Sequence, residues 1–159
     1  MKKQSKRFSG FSLIELVIVV VIIAIIGAIA IPKMSRGAAG AGDAALLQDL
    51  AVIRSGLDLY LTENNNTYPS VANLNNALTW YNDGAGTYNQ TKDATHIYGP
   101  YLRAVPPLPV GLAKGGTTFA AAVAPMPTTV GWVYNSTTGV ITTNTTTETD
   151  LKGNLYNGY

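Results

Sequence analysis

The sequence predicts an α+β protein: a long N-terminal helix, its first half membrane-spanning, packed on a small antiparallel sheet. Three observations lead there. Phe11–Ile31 is an almost unbroken apolar run, and beyond Pro32 apolar residues recur at helical spacing. The remaining stretch is rich in Thr, Asn, Gly and Pro and carries short alternating strand signals.

The first element spans 21 residues, roughly 31 Å as a helix at about 1.5 Å per residue, close to the hydrocarbon thickness of a bilayer. Lys2, Lys3, Lys6 and Arg7 precede it, which by the positive-inside rule places the extreme N-terminus in the cytoplasm. The whole chain carries +2, so without those four cations the remainder carries −2. That balance offers no basic surface for nucleic acid. Cysteine is absent, which excludes disulfides, thiolate nucleophiles and cysteine metal sites.

Glu15 lies inside the apolar run, where a carboxylate costs about 2.5–3.5 kcal/mol. Three readings of the segment compete. A plain signal anchor tolerates Glu15 near the interface. A secretory signal is cut after Ala28-Ile29-Ala30. Neither accounts for an acid in a run that begins abruptly after Ser9-Gly10. In the third, hydrolysis of the Gly10–Phe11 bond removes the cations and leaves an ammonium on Phe11. Glu15 then stands four residues from it, one helical turn away, where the two charges neutralise each other within or between chains.

The second element follows Pro32. Leu46, Leu50, Ile53, Leu57 and Tyr60 form a stripe broadened by Leu47 and Leu61, with Asp49, Arg54, Asp58 and Glu63 largely off it. The helix is expected to run to about Thr62, with "ENNNTYPS" ending it. Pro32, Gly37, Gly40 and Gly42 make its middle the weak part, each glycine costing about 1 kcal/mol relative to Ala.

Beyond it, "SVANLNNALTWY" predicts a short helix capped by Ser70, with Val71, Leu74 and Leu78 on one face. Thr117–Val123 is a candidate strand. "GWVYN" and "STTGVITTN" predict a hairpin turning at Asn135–Gly139, with Trp132 and Tyr134 on one face. The run Thr142–Thr149 is expected to be a solvated edge or tail.

The stretch "KRFSGFSLIELVIVVVIIAIIGAIAIPK" resembles the class III prepilin signal of type IV pilins and type II secretion pseudopilins. The resemblance rests on the basic leader ending in Gly10, on Phe11, on Glu15 five residues in, and on Pro32 just past the apolar run. It implies a pilin-like fold, cleavage after Gly10 by prepilin peptidase, and N-methylation of Phe11. It also implies that Phe11, Glu15 and Pro32 serve assembly, with Glu15 partnering a neighbouring subunit's N-terminus. Residues 1–10 are then a leader, 11–31 a transmembrane and filament-core helix, 32–62 its amphipathic continuation and 63–159 an α+β headpiece. The implied life history is a single-pass bacterial inner-membrane protein that becomes a periplasmic or extracellular homopolymer through pilus or secretion assembly machinery.

"TYP" (Thr67–Pro69), "GPYLRAVPPLP" (Gly99–Pro109) and "GWVYNSTTGVI" are similar to pseudopilin segments. Two departures stand beside them. The disulfide-closed loop usual in type IVa pilins is impossible here. Where major pseudopilins carry an acidic calcium site, only Glu148 and Asp150 remain as oxygen ligands, more in keeping with solvated surface than with a metal site. The missing cysteines and the "GPYL" segment lean toward the major pseudopilins.

Signals for catalysis are poor, and neither enzyme nor cofactor is expected. His96 is the lone histidine, and no phosphate loop, nucleophile elbow or zinc pattern occurs. Asp83 and Asp93 flank a Gly-rich loop with no evident base nearby. Most of the nine tyrosines suit a core or a polymer interface. Asn65, Asn89, Asn135 and Asn144 each open an N-x-Thr triplet, as expected from composition. The alternative from another class is a secreted or membrane-anchored extracytoplasmic binding module.

Overall fold

A computed structural model describes residues 10–125 and 128–159, apart from the side chains of Pro32 and Ser35. The leader cations Lys2, Lys3, Lys6 and Arg7 lie outside the described residues. The chain divides into one unit ending at Ala38 and a second, Ala39–Tyr159.

The first helix, α1, is Leu13–Glu63, 51 residues long. It is helical through Pro32 and the three glycines, so the sequence's weak stretch does not break it. In the first unit its Val, Leu and Ile side chains stand largely exposed, and mean hydropathy reaches 3.2. Among the described residues, this is the one helix long and apolar enough to cross a membrane.

In the second unit α1 carries the core stripe. Leu46, Leu50, Ile53, Leu57 and Tyr60 are each at most 3% exposed, and burial of such a side chain stabilises by roughly 1.5–3 kcal/mol. Leu47 departs from expectation: it is half exposed, because the buried stripe is narrower than the sequence suggests. Two glycines of α1 let loops approach closely. A Cβ on Gly42 would stand 3.1 Å from Val110 Cγ1, and one on Gly56 would stand 3.0 Å from Leu102. The helix ends where Asn65 and Asn66 enter the left-handed region (φ +52° and +58°), a conformation Asn tolerates better than most residues. The Asn66 amide then donates to the Leu61 carbonyl at 2.9 Å.

A short helix, α2 (Leu74–Thr79), buries Leu74, Ala77 and Leu78 against this stripe. It starts later than expected. Asn73 is its N-cap and Ser70 is not, because the Ser70 carbonyl closes a preceding turn by accepting from the Asn73 amide. Two strands, β1 (Tyr81–Asn82) and β2 (Tyr88–Asn89), pair antiparallel. The second sheet holds β3 (Thr118–Ala120), β4 (Val130–Tyr134) and β5 (Ile141–Thr143), in that order.

The expected hairpin is β4–β5, antiparallel, with Trp132 opposite Thr143 and Tyr134 opposite Ile141, all four buried. Strand β3 is shorter than Thr117–Val123 and pairs parallel to β4, so this sheet is mixed. Gly131 sits at the irregularity between them, and a Cβ there would collide with the Gly116 carbonyl. The core is therefore one face of α1 against α2, the mixed sheet and the loop Leu102–Ala113. The architecture is α+β, a long N-terminal helix with small sheets, consistent with a pilin-like fold.

Two resembling segments are tied into this core by single hydrogen bonds. The Trp132 indole donates to the Pro106 carbonyl at 2.9 Å, and the Tyr134 hydroxyl donates to the Pro69 carbonyl at 3.1 Å. The Thr-rich run is not simply solvated. Thr143, Asn144 and Thr145 are buried. Asn144 accepts from the Ala124 amide and donates to the Val130 carbonyl, each at 2.8 Å. The run turns inward because its polar groups find partners there.

Candidate functional site

Gly10, Phe11 and Ser12 precede the helix in non-helical backbone. Gly10 has open space where a Cβ would sit, and the Phe11 side chain is 84% exposed. In the uncut chain Phe11 stands outside the helix. The partner of Glu15 is Ser12. The Ser12 amide donates to Glu15 Oε2 at 2.8 Å, and the Glu15 amide donates to Ser12 Oγ at 3.2 Å.

This reciprocal pair is a capping box, which satisfies two backbone donors that a helix start leaves free. It also sets a carboxylate at the positive end of the helix dipole. The sequence spells it as Ser12-x-x-Glu15 before an apolar run, a legible signal that reading Glu15 only as a charge misses. The cap lies wholly on the C-terminal side of the Gly10–Phe11 bond.

The two acids considered for a cation have separate partners. Glu148 accepts from the Leu112 amide at 3.0 Å and the Thr146 amide at 3.1 Å, bonds that hold its carboxyl below the usual range. Asp150 accepts from the Tyr159 hydroxyl, the Asn154 side chain and the Lys152 and Asn154 amides. The Tyr159 bond foremost lowers its pKa. Their donors come from the chain itself, and among the described residues no group of three or more His, Asp or Glu could hold a metal ion.

The segment around Asp150 is strapped to α1. The Tyr156 hydroxyl donates to Asp43 Oδ1 at 2.8 Å and the Leu151 amide to Asp43 Oδ2 at 3.1 Å. The Arg54 guanidinium donates to the carbonyls of Ile141 and Tyr159, both at 2.8 Å. Neither Asp43 nor Arg54 stands out in the sequence, because their partners lie about a hundred residues away along the chain.

Asp83 and Asp93 prove to be loop organisers. Asp83 accepts from the Ala85 and Thr87 amides and from the Thr87 hydroxyl, the last bond foremost holding its pKa down to about 2. Asp93, expected to lack a nearby base, meets His96 Nδ1 at 2.9 Å because the loop folds back over three residues. It also accepts from the Thr95 and His96 amides, the latter foremost lowering its pKa. The Thr95 hydroxyl joins the pair, donating to Asp93 Oδ1 at 2.8 Å and lying 3.1 Å from His96 Nδ1, so all three residues serve the turn of one exposed loop. Of the N-x-Thr asparagines, Asn144 is buried with its amide oxygen and nitrogen each hydrogen-bonded, which sets it apart from an accessible acceptor.

Residues 5–31 match a family model, the prokaryotic N-terminal methylation motif. No curated protein and no solved structure matches the chain. The matched residues run from residue 5 through the Ser12–Glu15 cap and the apolar part of α1, and they point to a membrane-anchored structural subunit. The N-terminal segment is a class III signal peptide of the kind that type IV pilins and pseudopilins carry.

Proposed function

We propose that the protein is a filament subunit, cut between Gly10 and Phe11, methylated on the Phe11 amine, and polymerised through α1. The observation that carries this reading is the matched motif at residues 5–31, joined to an exposed apolar helix that holds one carboxylate in its first turn. Residues 1–10 act as leader and 11–31 as membrane anchor and filament core. Residues 32–62 continue the helix, with Pro32 marking the junction, and 63–159 form the outer surface.

Apolar burial among copies drives the core. The Glu15 carboxylate takes the neighbouring Phe11 ammonium as partner and sets axial register, because an unpaired charge in lipid is penalised. Before assembly the protein sits in the inner membrane; afterwards it forms a periplasmic or extracellular polymer. Between the two machines, the missing cysteines and the Gly99–Pro109 segment favour a secretion pseudopilus.

Intact and N-terminal peptide mass spectrometry on protein from its native host tests processing. A mature chain starting at methylated Phe11 is expected; one starting at Met1 or Ile31 overturns the reading. For register, Glu15→Ala is expected to leave membrane insertion intact and lower the yield of sedimentable polymer. Wild-type yield from that variant would remove the role given to Glu15.

A further inference from the structure

A polar cavity of about 360 Å³ lies in the second unit, between the end of α1, the segment leading to α2 and the β1–β2 loop. It falls within the roughly 300–1,000 Å³ typical of small-molecule sites. Tyr60, Asn64, Tyr68, Ser70, Asn73 and Tyr88 line it together with small loop residues, and no lining residue is charged.

One hydrogen-bonding group at this cavity is left incomplete, and a second lies enclosed beside it. Asn64 is 3% exposed, yet its Oδ1 has no partner. Its amide nitrogen is committed, donating to the Tyr60 carbonyl at 2.9 Å and the Tyr101 hydroxyl at 3.3 Å. The Tyr60 and Tyr88 hydroxyls stand 3.1 Å apart. One proton serves that bond, and the other hydroxyl proton has no acceptor among the described residues. Asn73, the N-cap of α2, makes no side-chain capping bond.

The nearest acids do not change this balance. Glu63 accepts from the Tyr101 hydroxyl at 2.6 Å, and Asp83 is held by its own loop. A buried acceptor without a donor costs about 1–3 kcal/mol, and one water occupies only about 30 Å³ of liquid volume. The complement is a neutral molecule, larger than water, whose hydroxyls both donate and accept and whose C–H faces suit tyrosine rings.

We propose that this cavity binds a neutral saccharide, with a sugar oxygen accepting from the Tyr60–Tyr88 pair and the sugar's C–H faces lying against the tyrosine rings. The site is independent of whether the chain polymerises. The test uses the full-length ¹⁵N-labelled protein in detergent micelles, titrated separately with glucose, galactose, mannose and N-acetylglucosamine. At least one sugar is expected to shift the Asn64 side-chain amide and the Tyr88 amide saturably, with Kd on the order of 1 mM. Tyr88→Phe, which keeps the ring, is expected to retain a dispersed spectrum and weaken binding about three- to tenfold. Absence of any saturable shift at the cavity with all four sugars overturns the proposal and leaves it a water-filled pocket. Shifts of equal strength in the Tyr88→Phe protein overturn it too.

Discussion

Ser12 and Glu15 close the first turn of α1 on each other. In the precursor the carboxylate has a partner in its own chain, the Ser12 amide, so its cost near the apolar helix is offset before any neighbour arrives. In the proposed polymer, pairing with the Phe11 ammonium would exchange one hydrogen bond for a charge pair. Ser12→Ala removes the acceptor for the Glu15 amide, and loss of an N-cap side chain costs about 1 kcal/mol. In micelles the Glu15 amide is expected to exchange with solvent roughly fivefold faster in that variant. Unchanged exchange there would mean the cap contributes nothing. Both cap residues were legible, since the pairing is local. Asn64, Tyr88, Asp43 and Arg54 were not, because each acquires its partner or its vacancy only when distant segments meet.

At the scale of the element, the stripe on α1 was readable because helical periodicity states which face is apolar. It does not state how wide the covering layer is. Leu47 sits beside Leu46 in sequence, yet one is half exposed and the other fully buried. Leu50→Ala is therefore expected to destabilise by about 2–5 kcal/mol, whereas Leu47→Ala should stay within about 0.5 kcal/mol. Urea unfolding followed by Trp132 fluorescence separates the two. Equal effects would contradict the burial assigned to this face. The strands were legible where alternation was strong, in β4 and β5. Strand β3 is three residues long and takes its parallel partner through Gly116 and Gly131, a close approach that no local pattern announces. The Thr142–Thr149 run misled for a related reason. A polar composition signals solvent only until buried groups such as Thr143 and Thr145 bond one another, here at 2.7 Å.

For the whole molecule, hydrogen-bonded carboxylates and buried phenols bracket a pH range of stability. Asp83, Asp93, Glu148 and Asp150 are all held below their ordinary values. A lowered folded-state pKa contributes stability that is present above the unfolded value, about 4, and is lost as pH falls through the folded one. For Asp83 that loss runs down to about 2. On the alkaline side, burial foremost raises Tyr88, Tyr101 and Tyr134, and lifts Tyr156 to about 12. Those phenols stay protonated in the fold while the unfolded chain ionises near pH 10, so their contribution fades as pH rises beyond that. Urea midpoints are thus expected to be flat from about pH 5 to 9 and to fall on both sides. Asp150→Asn discriminates the source of the acid limb. Asparagine keeps one acceptor but loses the charge that draws the Tyr159 hydroxyl and the Lys152 and Asn154 amides. The variant should be less stable at pH 7 and should lose stability less steeply below pH 4. An acid limb as steep as that of the unaltered chain would show that the strap between Asp150 and the tail is indifferent to its charge.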